Sequence, residues 1–290
     1  MGDASTGERF EFGKNWARFL ESLDDKRIAT AEDSLRAALE RQDFQGVTFL
    51  DVGSGSGIFS LAARRLGARV YSFDYDRNSV GCTQELRSRY FAGDPDWKVE
   101  QGSALDREYL QSLGRFDVVY SWGVLHHTGD MWSALANVCD LVQPGGALFI
   151  SIYNDQGTAS RRWKKVKRLY NQLPPPLRFL TVVPSFLVLN WHHLVKDCLR
   201  LRPFETIRTY GKLRGMSFWR DLIDWVGGYP FEVATPQQIF EFYKQRGFSL
   251  SWLRTCGGNL GCNEFVFRKS AEATPAGGRA PASASCAVSQ

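Results

Sequence analysis

Apolar positions along this chain follow two rhythms, and the way they take turns points to a fold. Nearly continuous apolar or β-branched runs occur at Val47–Val52, Ala68–Asp74, Trp97–Gln101, Phe116–Trp122 and Gly146–Tyr153. Between them lie stretches with apolar residues three and four apart, the first being Ile58–Leu66. The short runs read as strands buried on both faces and the intervening stretches as helices packed on them, so the alternation predicts a parallel α/β sheet. Ahead of the first strand, Phe12, Trp16, Phe19 and Leu20 mark one helical stretch and Ile28, Leu35, Ala38 and Leu39 a second. Asp76 and Asp106 stand where helix N-caps are expected, and Thr235 followed by Pro236 opens a helix over 237–246. Phe248–Cys256 and Asn263–Lys269 then read as two strands joined by a glycine-rich hairpin.

The alternation breaks between Gly157 and Gly228, and past Ser270 only Ala, Gly, Pro and Ser persist, as in a disordered tail. The expected organisation is therefore an N-terminal helical segment or lid (1–45), a core (46–156), a basic, aromatic-rich helical insertion (157–228), the rest of the core with its terminal hairpin (229–269), and a tail (270–290).

Charge sharpens the insertion. Of the overall +5, Arg161–Arg220 holds fourteen Lys or Arg against Asp197 and Glu205, a net +12 that leaves −7 for the remainder. Arg161–Tyr170 has the composition of a surface-binding amphipathic helix. The apolar run Phe179–Trp191 is interrupted by Pro184 and is too short to span a bilayer. Peripheral membrane contact through 161–220 and a solvated basic lid are the two readings; nucleic acid is not the expected partner, since no recognition module is visible. The N-terminus lacks a basic-then-apolar leader pattern, so a cytoplasmic location is expected, with peripheral membrane contact as the variant. Six scattered cysteines without C-x-x-C spacing suggest neither zinc nor a disulfide framework, and no metal is expected.

The distinctive chemistry begins at the first strand's end. Asp51 is followed by glycines at 53, 55 and 57 and then by a helix. Glycine there permits positive φ and lets a ligand reach main-chain atoms. The dinucleotide fingerprint G-x-G-x-x-G would need its third glycine at Ile58, so pyrophosphate binding is not indicated. Asp-x-Gly-x-Gly-x-Gly instead resembles the cofactor loop of class I S-adenosylmethionine (SAM) dependent methyltransferases. The resemblance covers about 46–155 and 229–269. It implies a Rossmann-like sheet of seven strands, the last antiparallel, with SAM as cofactor.

Placed on that pattern, Asp51, Gly53, Ser54, Gly55 and Gly57 would hold the cofactor, with Asp74 offering its carboxylate to a ribose diol and Tyr75 packing on adenine. Ser103 and Ala104 would meet the adenine edge, and Ser121 and Trp122 the region of the methyl group. Asn15 and Trp16 would belong to an N-terminal lid. Leu125-His126-His127 matches the pattern of the ubiquinone-pathway O-methyltransferases, which makes His126 and His127 candidate bases, since an ordinary imidazole exchanges protons near neutral pH. By topology Tyr153, Asn154 and Gln156 would face the acceptor, and Asn263 would border the site if the hairpin tip lies on the same edge. The expected activity is methyl transfer to a small-molecule or lipid-like acceptor, at a hydroxyl oxygen. N- or C-methylation, RNA methylation guided by the basic insertion, and a lipid-binding protein with a vestigial cofactor fold are the alternatives. The pattern leaves the oligomeric state open.

Overall fold

The computed structural model describes residues 23–200 and 218–271, together with Phe10, Gly13, Trp16, Leu20 and Arg202. Asn15 and residues 272–290 lie outside the described residues, and with them the expectations of a lid asparagine and a disordered tail.

Helix α1 (Asp25–Leu39) precedes strand β1 (Thr48–Val52), followed by α2 (Ile58–Arg65), β2 (Arg69–Asp74), α3 (Arg77–Tyr90), β3 (Trp97–Gln101), α4 (Arg107–Leu113), β4 (Phe116–Trp122), α5 (Met131–Leu141) and β5 (Val142–Tyr153). The insertion contributes α6 (Thr158–Gln172), α7 (Phe179–Leu199) and α8 (Phe218–Gly227). Helix α9 (Pro236–Lys244) and strands β6 (Phe248–Arg254) and β7 (Cys262–Lys269) close the core. The strands form one sheet in the order β3-β2-β1-β4-β5-β7-β6, in which β1 to β5 are parallel and β7 runs antiparallel to β5 and β6.

Successive strand residues point to opposite faces, so each strand feeds two cores. Leu50, Val119 and Leu148 pack with Leu110 of α4, Leu135 of α5 and Ile239 of α9, whereas Phe49, Val118 and Phe149 pack with Leu35 of α1, Leu61 of α2 and Leu86 of α3. Asp76 caps α3 by accepting from Asn78 N, Asp106 caps α4 through Tyr109 N, and Thr235 and Gln238 form a capping box on α9.

The fifth strand is longer than its apolar run Gly146–Tyr153, since β5 already begins at Val142. Phe116 pairs with Val142 and Val118 with Ala147, so the intervening Pro-Gly-Gly bulges inside the strand. Pro184 does not end its helix; it sits within α7, where the Thr181 and Ser185 hydroxyls donate to the carbonyls of Arg178 and Thr181.

The three insertion helices share a small core of Tyr170, Phe186, Leu222 and Val226. Two bonds tie α6 to the end of α8: Lys167 Nζ donates to the Trp225 carbonyl, and Asn171 Nδ2 to that of Gly227.

Candidate active site

The carboxyl ends of all five parallel strands meet at one cavity of about 760 Å³, within the range of small-molecule sites. One end of the cavity is built by the β1–α2 loop. Gly53, Gly55 and Gly57 all have positive φ (81°, 55° and 81°), and each is hemmed in differently. A Cβ on Gly53 would fall 2.4 Å from Val124, one on Gly55 3.2 Å from the Trp16 indole, and one on Gly57 2.9 Å from the Thr83 backbone. Gly53 and Ser54 donate their N–H groups to the Phe73 carbonyl, pinning the loop to β2. Ser54 Oγ pairs with Thr83 Oγ1 at 2.8 Å.

Asp74 closes that end. Its Oδ2 accepts from Gly55 N at 2.9 Å and its Oδ1 from Asp76 N at 2.8 Å. The helix cap is Asp76, so Asp74 is not consumed as a cap. Each of its oxygens keeps a further acceptor site for a hydroxyl donor. Burial raises its carboxyl to about 6, with the two backbone donors pulling the other way. Asp51 is buried beneath the loop and raised to about 7, first by burial. Ser60 Oγ donates to it at 2.5 Å, Ser72 Oγ lies 2.7 Å from Ser60 Oγ, and Trp97 Nε1 donates to Ser72 at 3.0 Å. The indole can only donate and Ser60 spends its one hydrogen on Asp51, so Ser72 donates to Ser60 and the hydrogens in this buried relay all run from Trp97 towards Asp51.

Tyr75, Ser103, Ala104 and Trp122 line the same cavity, and Trp16 of the N-terminal segment covers Gly55. The groups at this end suit an adenosyl ligand: a strand-tip carboxylate with acceptor capacity for a diol, an exposed Tyr75 ring beside it, and a loop whose Cβ positions are already occupied. Among the described residues no three His, Cys, Asp or Glu are grouped so as to hold a metal ion.

The other end is formed by the 3₁₀ turn Leu125–His127 after β4, by Tyr153 and by the insertion. His126 and His127 have ring centroids 4.5 Å apart, and His126 packs at a tilt against Tyr153 at 4.2 Å. His126 is fully buried and neither of its ring nitrogens has a hydrogen-bond partner. Burial, then the neighbouring His127 and Lys167, hold its pKa well below the ordinary imidazole value. His127 Nδ1 lies 2.6 Å from the Pro230 carbonyl. A carbonyl only accepts, so Nδ1 carries the proton and Nε2 is the ring's acceptor. Leu189 and Asn190 of α7, and Leu222, Asp224 and Trp225 of α8, complete this wall.

Several expected positions do not reach the cavity. Ser121 is on the opposite face of β4, fully buried, and donates to the Val52 carbonyl. Gly57 lies behind the loop as the N-cap of α2. The hairpin tip does fall on the same edge as the glycine loop, but its polar residues bind one another: Asn263 Nδ2 donates to Asn154 Oδ1, its Oδ1 accepts from Cys256 N, and Gln156 Nε2 donates to the Gly258 carbonyl. Asn154, Gln156 and Asn263 therefore fasten the hairpin to the end of β5 and do not line the cavity.

Tyr120 was not foreseen. Its ring lines the cavity two residues before Trp122, and its hydroxyl is buried without a partner. The period-two alternation of β4, which puts Tyr120 and Trp122 on one face and Ser121 on the other, would have found it.

Comparison with known proteins agrees with this geometry. A family model for a methyltransferase domain matches residues 20–203. The ubiquinone biosynthesis O-methyltransferase of Methylobacterium sp. (strain 4-46) is 29% identical over 142 residues, covering 47% of this chain and 55% of that protein. Its mitochondrial counterpart in Homo sapiens is 29% identical over 140 residues, covering 47% and 37%. The chain thus spans about half the length, or less, of these curated relatives. Among solved structures, magnesium protoporphyrin IX methyltransferase from Synechocystis PCC 6803 with bound S-adenosylhomocysteine superposes with a TM-score of 0.51 at 15% identity, covering 84% of this chain and 83% of the other. With the glycine loop, the sheet order and the family model in agreement, the chain belongs to the class I S-adenosylmethionine-dependent methyltransferases.

Proposed function

We propose that the protein transfers a methyl group to a hydroxyl oxygen of a small amphiphilic acceptor. The observation that carries this reading is the polarity of the cavity, with Asp74 and the glycine loop at one end and a histidine with Nε2 as its acceptor at the other. When bound, the cofactor supplies an electrophilic methyl on a sulfonium. The chain's own work is to hold that donor, exclude water, align the acceptor and take one proton, because an in-line displacement gains most from proximity and orientation.

Asp51, Gly53, Ser54, Gly55, Asp74, Tyr75, Ser103, Ala104 and Trp122 are assigned to the donor. The Pro230 carbonyl fixes the His127 tautomer, and Nε2 is the group that would take the acceptor's hydroxyl proton. His126 stays neutral, and its two unpartnered nitrogens, like the Tyr120 hydroxyl, offer hydrogen bonds to what enters. The acceptor side is walled by Tyr153, Leu189, Leu222 and Trp225, which suits a ligand with an apolar body. The curated relatives act in ubiquinone biosynthesis by name, which supports a hydroxyl acceptor and a lipid-like body. Peripheral membrane contact through 161–220 belongs to the same reading.

The test is a methyl-transfer screen with labelled SAM against lipid, small-molecule, RNA and protein fractions, with Asp74→Ala as the blank. Label is expected in the lipid or small-molecule fraction and absent from the blank. Label confined to RNA or protein would overturn the acceptor class, and no affinity for SAM would overturn the whole reading.

A further inference from the structure

Helix α7 has two working faces. Its inner face reaches the cavity through Leu189 and Asn190 and buries Phe186 in the insertion's core. Its outer face carries Leu180, Leu187, Val188, Trp191 and Val195, each 49–63% exposed. At about 100° per residue these fall within roughly 100° of the helix circumference, so they form one stripe, about 22 Å long at 1.5 Å per residue. A contiguous apolar stripe of that length is unusual on a soluble face and marks an interaction site. No described helix is long and apolar enough to cross a membrane, so the stripe is placed to lie along an interface.

Charge identifies the occupant. From Gln156 to Lys196 the chain has eight Lys or Arg and no Asp or Glu. Arg161, Arg162, Lys164 and Lys165 are exposed on α6, while Arg178 stands at the head of α7 and Lys196 and Arg200 at its foot. An apolar face bracketed by cations complements a bilayer with anionic headgroups. A second copy of the chain would bring the same cations against these.

We propose that the outer face of α7 docks in the surface of an anionic lipid bilayer, with the basic face of α6 against the headgroups. Docking this way sets one wall of the cavity directly behind the lipid-facing helix. Resting on the reading of an amphiphilic acceptor, the same helix is where such a molecule passes from lipid to the site.

The test is co-sedimentation of the full chain with vesicles of phosphatidylcholine alone or with about 30 mol% phosphatidylglycerol, at low and moderate salt. Binding is expected only to the anionic vesicles, weakening as salt rises. Leu187→Glu with Trp191→Glu should lower the partition coefficient by about tenfold or more, and Lys164→Glu with Lys165→Glu by a smaller, salt-sensitive factor. Leu187 and Trp191 do not line the cavity, so calorimetric SAM affinity and the thermal midpoint should be unchanged in that variant. Equal binding by wild type and the Leu187/Trp191 variant overturns the proposal. So does absence of vesicle binding, whether the stripe then proves to mediate dimerisation in sedimentation velocity or binds RNA through its basic flank. The vesicle assay needs neither methyl donor nor acceptor, so its failure is separable from failure of the methyl-transfer reading.

Discussion

Replacing Asp51 by Asn removes a buried charge while keeping the side chain's shape. The carboxyl is 2% exposed at the end of β1, with the Ser60 hydroxyl on one oxygen and Asp74 as a nearby like charge. Burial outweighs the hydrogen bond, so its pKa rises from 3.8 to about 7. A group that holds its proton more tightly when folded stabilises the fold below its unfolded pKa, and that contribution is lost as pH climbs to the folded pKa. About three units at 1.36 kcal/mol each give an upper limit of ~4 kcal/mol, all of it lost by pH ~7.5. The amide in Asp51→Asn does not titrate, and its oxygen still ends the relay from Trp97 through Ser72 and Ser60. Its hydrogens lack an evident acceptor, which costs about 1–2 kcal/mol at every pH. The variant should therefore be slightly less stable than wild type near pH 4.5 and about 2–3 kcal/mol more stable near pH 8. Urea unfolding across that range, with the difference plotted against pH, measures it. A pH-independent difference would refute the assignment of a burdened charge to this position. The same variant should bind SAM more weakly, as expected where stability is given up at a working site.

Four further outcomes follow from the geometry. Asp74→Asn should weaken SAM binding by about 10- to 100-fold in calorimetry, since charge-assisted bonds carry ~1.5–3 kcal/mol; wild-type affinity should fall as pH drops through about 6, where this carboxylate gains its proton, and the variant should lose that dependence. His127→Ala should lower kcat by about 10²- to 10⁴-fold with donor affinity unchanged, read by labelled methyl transfer on the acceptor found in the screen. Gly57→Ala puts a Cβ 2.9 Å from the Thr83 backbone at φ 81°, whereas Gly46→Ala at φ 74° meets nothing within 4 Å; chemical denaturation should find the first costing at least ~2 kcal/mol and the second about 1. Lys167→Met removes an amine that burial holds down at about 7. The unfolded chain binds that proton more tightly, so wild-type stability rises between pH 7 and 10 and the variant's advantage should shrink over that span, opposite in sign to Asp51→Asn.

Much of this was legible in the sequence because it depends on local periodicity and on strand ends. Trp97–Gln101 and Phe116–Trp122 match their strands end to end, and Asp76, Asp106 and Thr235 cap as their neighbours demand. Topology then carries Asp51, Asp74 and His127 to one cavity, since parallel strands all deliver their carboxyl ends to the same edge. What escaped is decided by direction across the sheet and by partners far along the chain. Ser121 and Tyr120 are neighbours in sequence but belong to opposite faces. Asn154 and Asn263 are 109 positions apart and spend their amides on each other, which composition at a strand end does not reveal. The walls from α7 and α8 were likewise hidden, because a helix's inner face can be named only once its packing is known.

The paired histidines illustrate how a single turn divides labour between identical side chains. In the 3₁₀ turn Leu125–His127, successive residues are swung about 120° apart. One ring is thereby driven inward against Tyr153, where burial and the neighbouring Lys167 disfavour its charged form. The other is swung towards the returning segment at Pro230, whose carbonyl accepts a hydrogen bond from Nδ1–H and so sets the tautomer. That segment is anchored by Glu232 N donating to the His126 carbonyl and by Glu232 Oε2 accepting from Met131 N. The chain after the insertion thus fixes which nitrogen of His127 is left as the ring's acceptor, and the proton acceptor proposed at the fourth strand's tip is set by a peptide group more than 100 residues away.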